Sequence, residues 1–347
     1  MKPADPRGFE IAILCALPIE AAAVDALFTE TWKGYGKQEG DRNIYTIGRI
    51  GEQNIVLAHM PGEGKGRSSA VATGVRLSFP GVKIALVVGI CGAVPFNSGK
   101  EIVLGDVIIS DGVIQYDHGK QFPDRFERKN KIKDNLPRLG QELTGLLNKL
   151  AIPRHLRLLA QRTSELLVKV QEECGDDFQY PGREHDRLFE GSYRHKHYVP
   201  VENVECNVCA KCNSQEDPVC KVAEGSSCDV LGCHTHGPGQ PVPRERLEDD
   251  DDPKPTIHIG TIASGDTVMK SGVERDEKAG ALGVIAFEME GAGVWENLEC
   301  LVVKGACDYA DSHKNDKFQC YAAATAAACA KAFIEEWSEA TSQSSGR

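Results

Sequence analysis

Short apolar runs recur along the chain, each about one β-strand long and most ending in an ionisable residue. They are 11-IAILCAL-17, 84-IALVVGICGAV-94, 105-GDVIISDGVIQYD-117, 256-TIHIGTIASGD-266, 284-VIAFEME-290 and 300-CLVVKGACD-308. Continuous runs of this length suit strands buried on both faces of a sheet. Helical stretches separate them. An alanine-rich one follows Pro18 over about 19–29, and another opens at 62-GEGKGRSSA-70 and reaches about Leu77. A third starts near Gly291, and 321-YAAATAAACAKAFIEEW-337 is a strong helix. Two β-rich runs around Gly51, within 43-NIYTIGRIGEQNIVLAHMP-61, predict a hairpin. The expected fold is α/β, with a mixed central β-sheet flanked by helices.

With 347 residues, 41% of them hydrophobic, the chain can build a large core. The pattern predicts one domain over 1–347, its core at about 8–122 and 256–337. Residues 123–200 read as a charged helical insertion, and 201–255 as a Cys-rich, acidic loop that leaves the core and is partly mobile. A net charge of −11 argues against a general nucleic-acid binder, which needs a basic face. No run of eighteen apolar residues predicts a membrane span, and MKPADPRGFE lacks the layout of a signal peptide, so the expected compartment is the cytoplasm.

In open α/β sheets, ligands sit at the carboxyl ends of the strands. Four such ends carry glycine or carboxylate: Glu20, 89-GICGA-93, 288-EME-290 and Asp308. Each has a plain structural reading. Asp308 and Asp311 can cap turns or helices, and Glu20 and Glu290 sit where a helix start favours an acid. His313 and Lys314 read as rim residues.

Seven segments together change the balance. 11-IAILCALPIEAAAV-24, 62-GEGKGRSSA-70, 86-LVVGICGAVP-95, 105-GDVIISDGVIQYD-117, 261-TIASGD-266, 287-FEMEGAGV-294 and 305-GACDYAD-311 resemble, in order, the purine nucleoside phosphorylase and uridine phosphorylase superfamily. The closest resemblance is to methylthioadenosine/S-adenosylhomocysteine nucleosidases and related fungal nucleoside-cleaving domains. It covers about 1–120 and 256–337. It implies scission of the N-glycosidic bond of a purine nucleoside. Asp308 matches the general acid at purine N7. Glu290 matches the carboxylate on the ribose hydroxyls, with Met289 under the sugar and Glu288 near it. Glu20 matches the carboxylate that positions water, and Val268 and Met269 match residues touching the base. Cys91 and Gly92 join the substrate-binding set, with Tyr116 and Phe122 as further pocket candidates. The chemistry is consistent with this: the departing purine gathers negative charge, the sugar positive charge, so an acid is needed at one end and a carboxylate at the other. The superfamily also implies a homodimer or higher oligomer.

The chain departs from the phosphorylases where they hold phosphate. Val87 and Ile90 occupy the places of an arginine and a hydroxyl, and Glu20 lies in the first loop. A dianion needs cationic, multidentate donors. Water is therefore the expected nucleophile and a purine nucleosidase the expected activity, with Lys65 and Arg67 the remaining basic candidates for phosphate. Phosphorolysis stays open as an alternative. So does a nucleoside-sensing module, because fungal domains of this kind occur at the front of larger receptor-like proteins.

Thirteen cysteines are present, and Cys206, Cys209, Cys212, Cys220, Cys228 and Cys233 cluster in 206-CNVCAKCNSQEDPVCKVAEGSSCDVLGCHTH-236. With His234 and His236 they offer enough ligands for structural zinc. Reduced thiols in a loop, or disulfides, are the other readings. The glycosidic mechanism requires no metal or cofactor.

Overall fold

The structure, a computed structural model, describes residues 1–200, 206–248 and 252–342. Its centre is a sheet of nine strands: β1 (Ile11–Cys15), β2 (Glu30–Trp32), β3 (Ile44–Ile50), β4 (Gln53–His59), β5 (Ile84–Ala93), β6 (Val107–Gln115), β7 (Ile257–Ser264), β8 (Val284–Glu288) and β9 (Cys300–Asp308). Their order is β8-β7-β6-β9-β5-β1-β4-β3-β2. The sheet is mixed, as expected. β1 lies parallel to β4 and β5, β9 parallel to β5, and β7 parallel to β6 and β8. β9 meets β6 antiparallel, and β3 is antiparallel to both β4 and β2. β8 also pairs with β5, through Ala286–Ala93 and Phe287–Gly92. The strands β5, β9, β6, β7 and β8 thus close into a ring, from which the rest of the sheet extends.

Alternation along each strand feeds two cores. Ile11, Ile13 and Cys15 pack under α1 (Pro18–Asp25), α3 (Gln141–Leu150), α4 (Pro153–Cys174) and α7 (Gln319–Ser342). Ala12 and Leu14 face α2 (Lys65–Ser78) and α6 (Gly291–Trp295) on the other side, and α5 (Gly272–Leu282) precedes β8. The helix expected over about 19–29 stops at Asp25 because the Thr29 amide donates to Arg49 O and the chain enters β2. The stretch read as a helical insertion supplies α4, whose Leu159, Leu166, Leu167 and Val170 belong to the same core as α7.

The Cys-rich stretch is better ordered than its composition predicts. Residues 206–248 hold three single-turn helices, at Asn207–Ala210, Lys221–Glu224 and Cys228–Leu231. Cys209, Ala223, Leu231, Cys233 and Phe189 form a small core of their own. Buried polar groups fasten it to the sheet. Arg244 donates to Tyr309 Oη at 2.8 Å and to Ile102 O at 2.7 Å, and Tyr309 Oη donates to Asp186 at 2.6 Å. Most of the acidic run, at 249–251, lies outside the described residues.

The alanines of α7 let it lie directly on β9. A Cβ on Gly305 would stand 2.0 Å from Ala322 O. Gly305→Ala must push that helix off the strand, and overpacking of this kind costs about 1–3 kcal/mol. Urea unfolding should show a lower midpoint at unchanged m-value.

Candidate functional site

The carboxyl ends of β5, β8 and β9 and the start of α1 surround a cleft. Nine of the expected site residues lie on its wall: Asp308, Glu20, Glu290, Met289, Glu288, Val268, Met269, Cys91 and Gly92. Ile90, Glu63, Thr267, Phe287, Lys314 and Gln319 also line it. Tyr116 stands behind, edge-on to Phe287 at 5.7 Å and donating to Thr267 O at 2.9 Å. Phe122 is not part of the wall; it carries the Arg125 guanidinium over its ring.

Local structure fixes each acid. Glu20 lies in the first turn of α1. Its Oε2 accepts the amides of Ala16 and Leu17 at 2.8 and 2.9 Å, and its Oε1 the amide of Ile90 at 2.9 Å. Gly89 makes this possible, since a Cβ there would meet Glu20 Oε1 at 1.9 Å. Glu288 closes the start of α6, accepting from the amides of Glu290 at 3.0 Å and Gly291 at 2.8 Å. Glu290 reaches the other way, to Lys304 Nζ at 2.9 Å and the Gly64 amide at 3.4 Å. Asp308 accepts the Ala310 amide at 2.8 Å, and its other oxygen pairs with Lys314 Nζ at 2.8 Å. Ala310 sits at φ 52°, a left-handed conformation that alanine rarely adopts.

Two lysines organise this chemistry. Lys304 is 1% exposed, in the middle of β9, 2.9 Å from Glu290 and 3.8 Å from Glu20. Burial alone would lower its pKa, but Glu290, Glu20 and Glu288 together raise it well above the ordinary value, so it is an ammonium. Burial pushes the carboxyls of Glu20 and Glu288 up, with Lys304 opposing the rise and Glu290 adding to it. Lys314, read from sequence as a rim residue, faces the cleft. Burial acts to lower its pKa too, and Asp308 beside it wins, raising it. The Asp308 carboxylate is thus met by a counter-ion. Asp311 does not line the cleft. It accepts the His313 amide at 2.8 Å, and burial pushes it up to about 6.

The basic residues of the glycine-rich loop are engaged elsewhere. Lys65 pairs with Asp117 and, at 3.6 Å, with Asp266, and its amide donates to Asp266 at 2.8 Å. Arg67 folds back to Glu63 O at 3.3 Å. Of the cleft-lining residues, five are carboxylates (Glu20, Glu63, Glu288, Glu290 and Asp308) and Lys314 is the sole cation.

Sequence reasoning missed Lys304, although its signal was plain: a lysine inside an otherwise apolar strand needs buried acids to hold it.

The sequence profile described as "Phosphorylase superfamily" matches residues 10–200. The chain belongs to that superfamily. It is 31% identical over 338 residues to a nucleotide-binding leucine-rich repeat (NLR)-like protein of Hyaloscypha variabilis, an alignment covering 95% of this chain and 29% of the relative. The chain thus spans less than a third of that relative's length. Among solved structures, a Streptococcus pneumoniae MTA/SAH nucleosidase in complex with 8-aminoadenine superimposes with a TM-score of 0.53 at 18% identity, covering 94% of this chain and 99% of that one. A Helicobacter pylori MTAN mutant with 5′-methylthioadenosine in the active site gives 0.52 at 17% identity, covering 95% and 99%. The native futalosine hydrolase of Helicobacter pylori gives 0.51 at 17%, covering 95% and 98%. At these identities the likeness is one of fold.

Replacing Lys304 with methionine leaves Glu290 and Glu20 buried without their counter-charge. Such a loss costs roughly 3–5 kcal/mol. Chemical denaturation of Lys304→Met should show that loss, and Glu290→Gln in the same chain should recover part of it.

Proposed function

We propose that the chain hydrolyses the N-glycosidic bond of purine ribonucleosides, releasing free base and ribose. The observation that carries this reading is the polarity of the cleft. Glu290 and Glu20, tied together by one lysine, form one side, and the Asp308–Lys314 pair forms the other. Breaking a ribosyl–purine bond separates charge in the same sense. Positive charge grows on the sugar, where Glu290 holds the hydroxyls with Met289 beneath. Negative charge grows on the base, where Asp308 takes up a proton from solvent and delivers it to N7. Lys314 stays protonated and sets a fixed positive charge beside the departing heterocycle. Glu20, its carboxylate oriented by three backbone amides, positions the attacking water. Val268, Met269, Phe287, Cys91 and Gly92 surround the base.

Five carboxyl groups line the cleft, and its two nearby ammoniums, Lys304 and Lys314, are both engaged by them, which leaves no free cation for a phosphate dianion and favours water as the nucleophile. Solved structures of similar fold include proteins named nucleosidases and a hydrolase, consistent with this choice. The curated relative favours a second setting for the same site. It is more than three times as long as this chain and is named for nucleotide-binding leucine-rich repeats, so the domain can serve as the nucleoside-responsive part of a larger receptor.

Purified protein incubated with a panel of purine nucleosides in phosphate-free buffer should release free base, detected by chromatography, at a rate that added phosphate leaves unchanged. Asp308→Asn should slow release about 10²–10⁴-fold, the usual contribution of a general acid, while nucleoside still binds. Strict dependence on phosphate contradicts hydrolysis. Binding without any turnover by the wild-type protein supports the sensor.

A further inference from the structure

The Cys-rich stretch brings together ligands that the cleft chemistry does not use. The donor atoms of His197, Cys206, Cys209 and Cys220 all lie within 4.8 Å of one another. Cys209 Sγ and Cys220 Sγ are 3.8 Å apart, and all thirteen cysteines are free thiols. A disulfide needs about 2.05 Å. Two thiolates on a tetrahedral zinc, each with a Zn–S bond of about 2.3 Å, stand about 3.8 Å apart.

The backbone is built around the same point. Cys206 precedes the single-turn helix Asn207–Ala210, so the Cys-x-x-Cys spacing returns Cys209 to its side of the turn. Cys220 caps the helix Lys221–Glu224, and its sulfur accepts the Ala223 amide at 3.4 Å. Lys196 Nζ donates to the carbonyls of Cys209 at 3.2 Å and Cys212 at 2.6 Å, closing the loop between them. The fourth member gives an independent sign. His197 Nδ1 is buried and has no hydrogen-bond partner, a costly state for a polar atom unless something else occupies its lone pair.

We propose that His197, Cys206, Cys209 and Cys220 bind one zinc ion tetrahedrally. Three thiolates and an imidazole are soft and borderline donors, suited to zinc and unsuited to calcium or magnesium, which take oxygen. Four protein ligands leave no position for substrate or reactive water, so the ion is structural. The ligand set differs from the sequence expectation. Cys212 takes no part, and His197 replaces His234 and His236 as the imidazole donor. Cys228 and Cys233 belong to a separate group with His195, whose Nδ1 lies 3.6 and 3.5 Å from their sulfurs.

This zinc site would steady a segment that touches the loop after Asp308. His313 packs against the rings of Phe189 and Tyr193, with centroids at 4.3 and 5.4 Å, and the His195 amide donates to Ser312 Oγ at 3.3 Å. The proposal does not depend on the glycosidase reading, and its test needs no turnover.

Protein purified without chelator should carry at least one tightly held zinc per chain by elemental analysis. Cys209→Ser and Cys220→Ser should each hold one equivalent fewer than wild type, and Cys212→Ser the same as wild type. Cys206→His should keep the ion that Cys206→Ser loses, which separates lost ligation from failure to fold. In the wild-type chain, chelation should expose Cys206, Cys209 and Cys220 together to alkylation, as mapped by peptide mass spectrometry. Absence of zinc, a Cys209–Cys220 disulfide in the non-reduced protein, or zinc content that follows Cys228 but not Cys209 would overturn the assignment.

Discussion

One buried ammonium sets the terms for the cleft. Lys304 is in the centre of β9, between strands that belong to two apolar cores, and is 1% exposed. A charge placed there is tolerable only if acids come to it. Glu290 arrives from the end of β8 and Glu20 from the first turn of α1, so one interaction fixes two elements that are 270 positions apart in the chain. Three glutamates share that lysine. Carboxyl groups thus outnumber the lysine on the side of the cleft that the proposed reading gives to the sugar, and backbone amides hold Glu20 and Glu288 in place. Structure and proposed chemistry therefore rest on the same contacts.

Asp308 is at the other end of this arrangement, where β9 leaves the sheet. The groups that hold the loop after it come from outside the sheet. Arg275 donates to Tyr309 O at 2.7 Å, Arg244 and Asp186 hold the Tyr309 hydroxyl, and Phe189 and Tyr193 pack against His313. Three of those five residues, Asp186, Phe189 and Tyr193, lie in the stretch that sequence assigned to a helical insertion, and Arg244 lies in the one assigned to a Cys-rich loop. Both stretches thus support the loop that carries Lys314 into the cleft.

The sheet and the acids were legible because their signals are local. Continuous apolar runs such as 84-IALVVGICGAV-94 mark buried strands, and carboxylates at their ends mark the cleft. The ring closure between β8 and β5 was not legible, because it depends on the pairing of Phe287 with Gly92, which no periodicity encodes. Lys314 was misplaced for a similar reason. Its approach to Asp308 depends on the left-handed turn at Ala310, and alanine gives no warning of that conformation. The Cys-rich stretch looked loose because its order comes from a few aromatic, cysteine and buried arginine contacts scattered along the chain, not from repeating apolar positions.

The central claim is that the cleft is polarised to separate charge across a ribosyl–purine bond. A crystal structure with a purine nucleoside analogue carrying a cationic sugar mimic tests it most directly. The account predicts the analogue's N7 within about 2.6–3.2 Å of an Asp308 oxygen, its sugar hydroxyls on Glu290, and a water beside Glu20. An analogue bound with its base toward Glu290, or outside the cleft altogether, would contradict it.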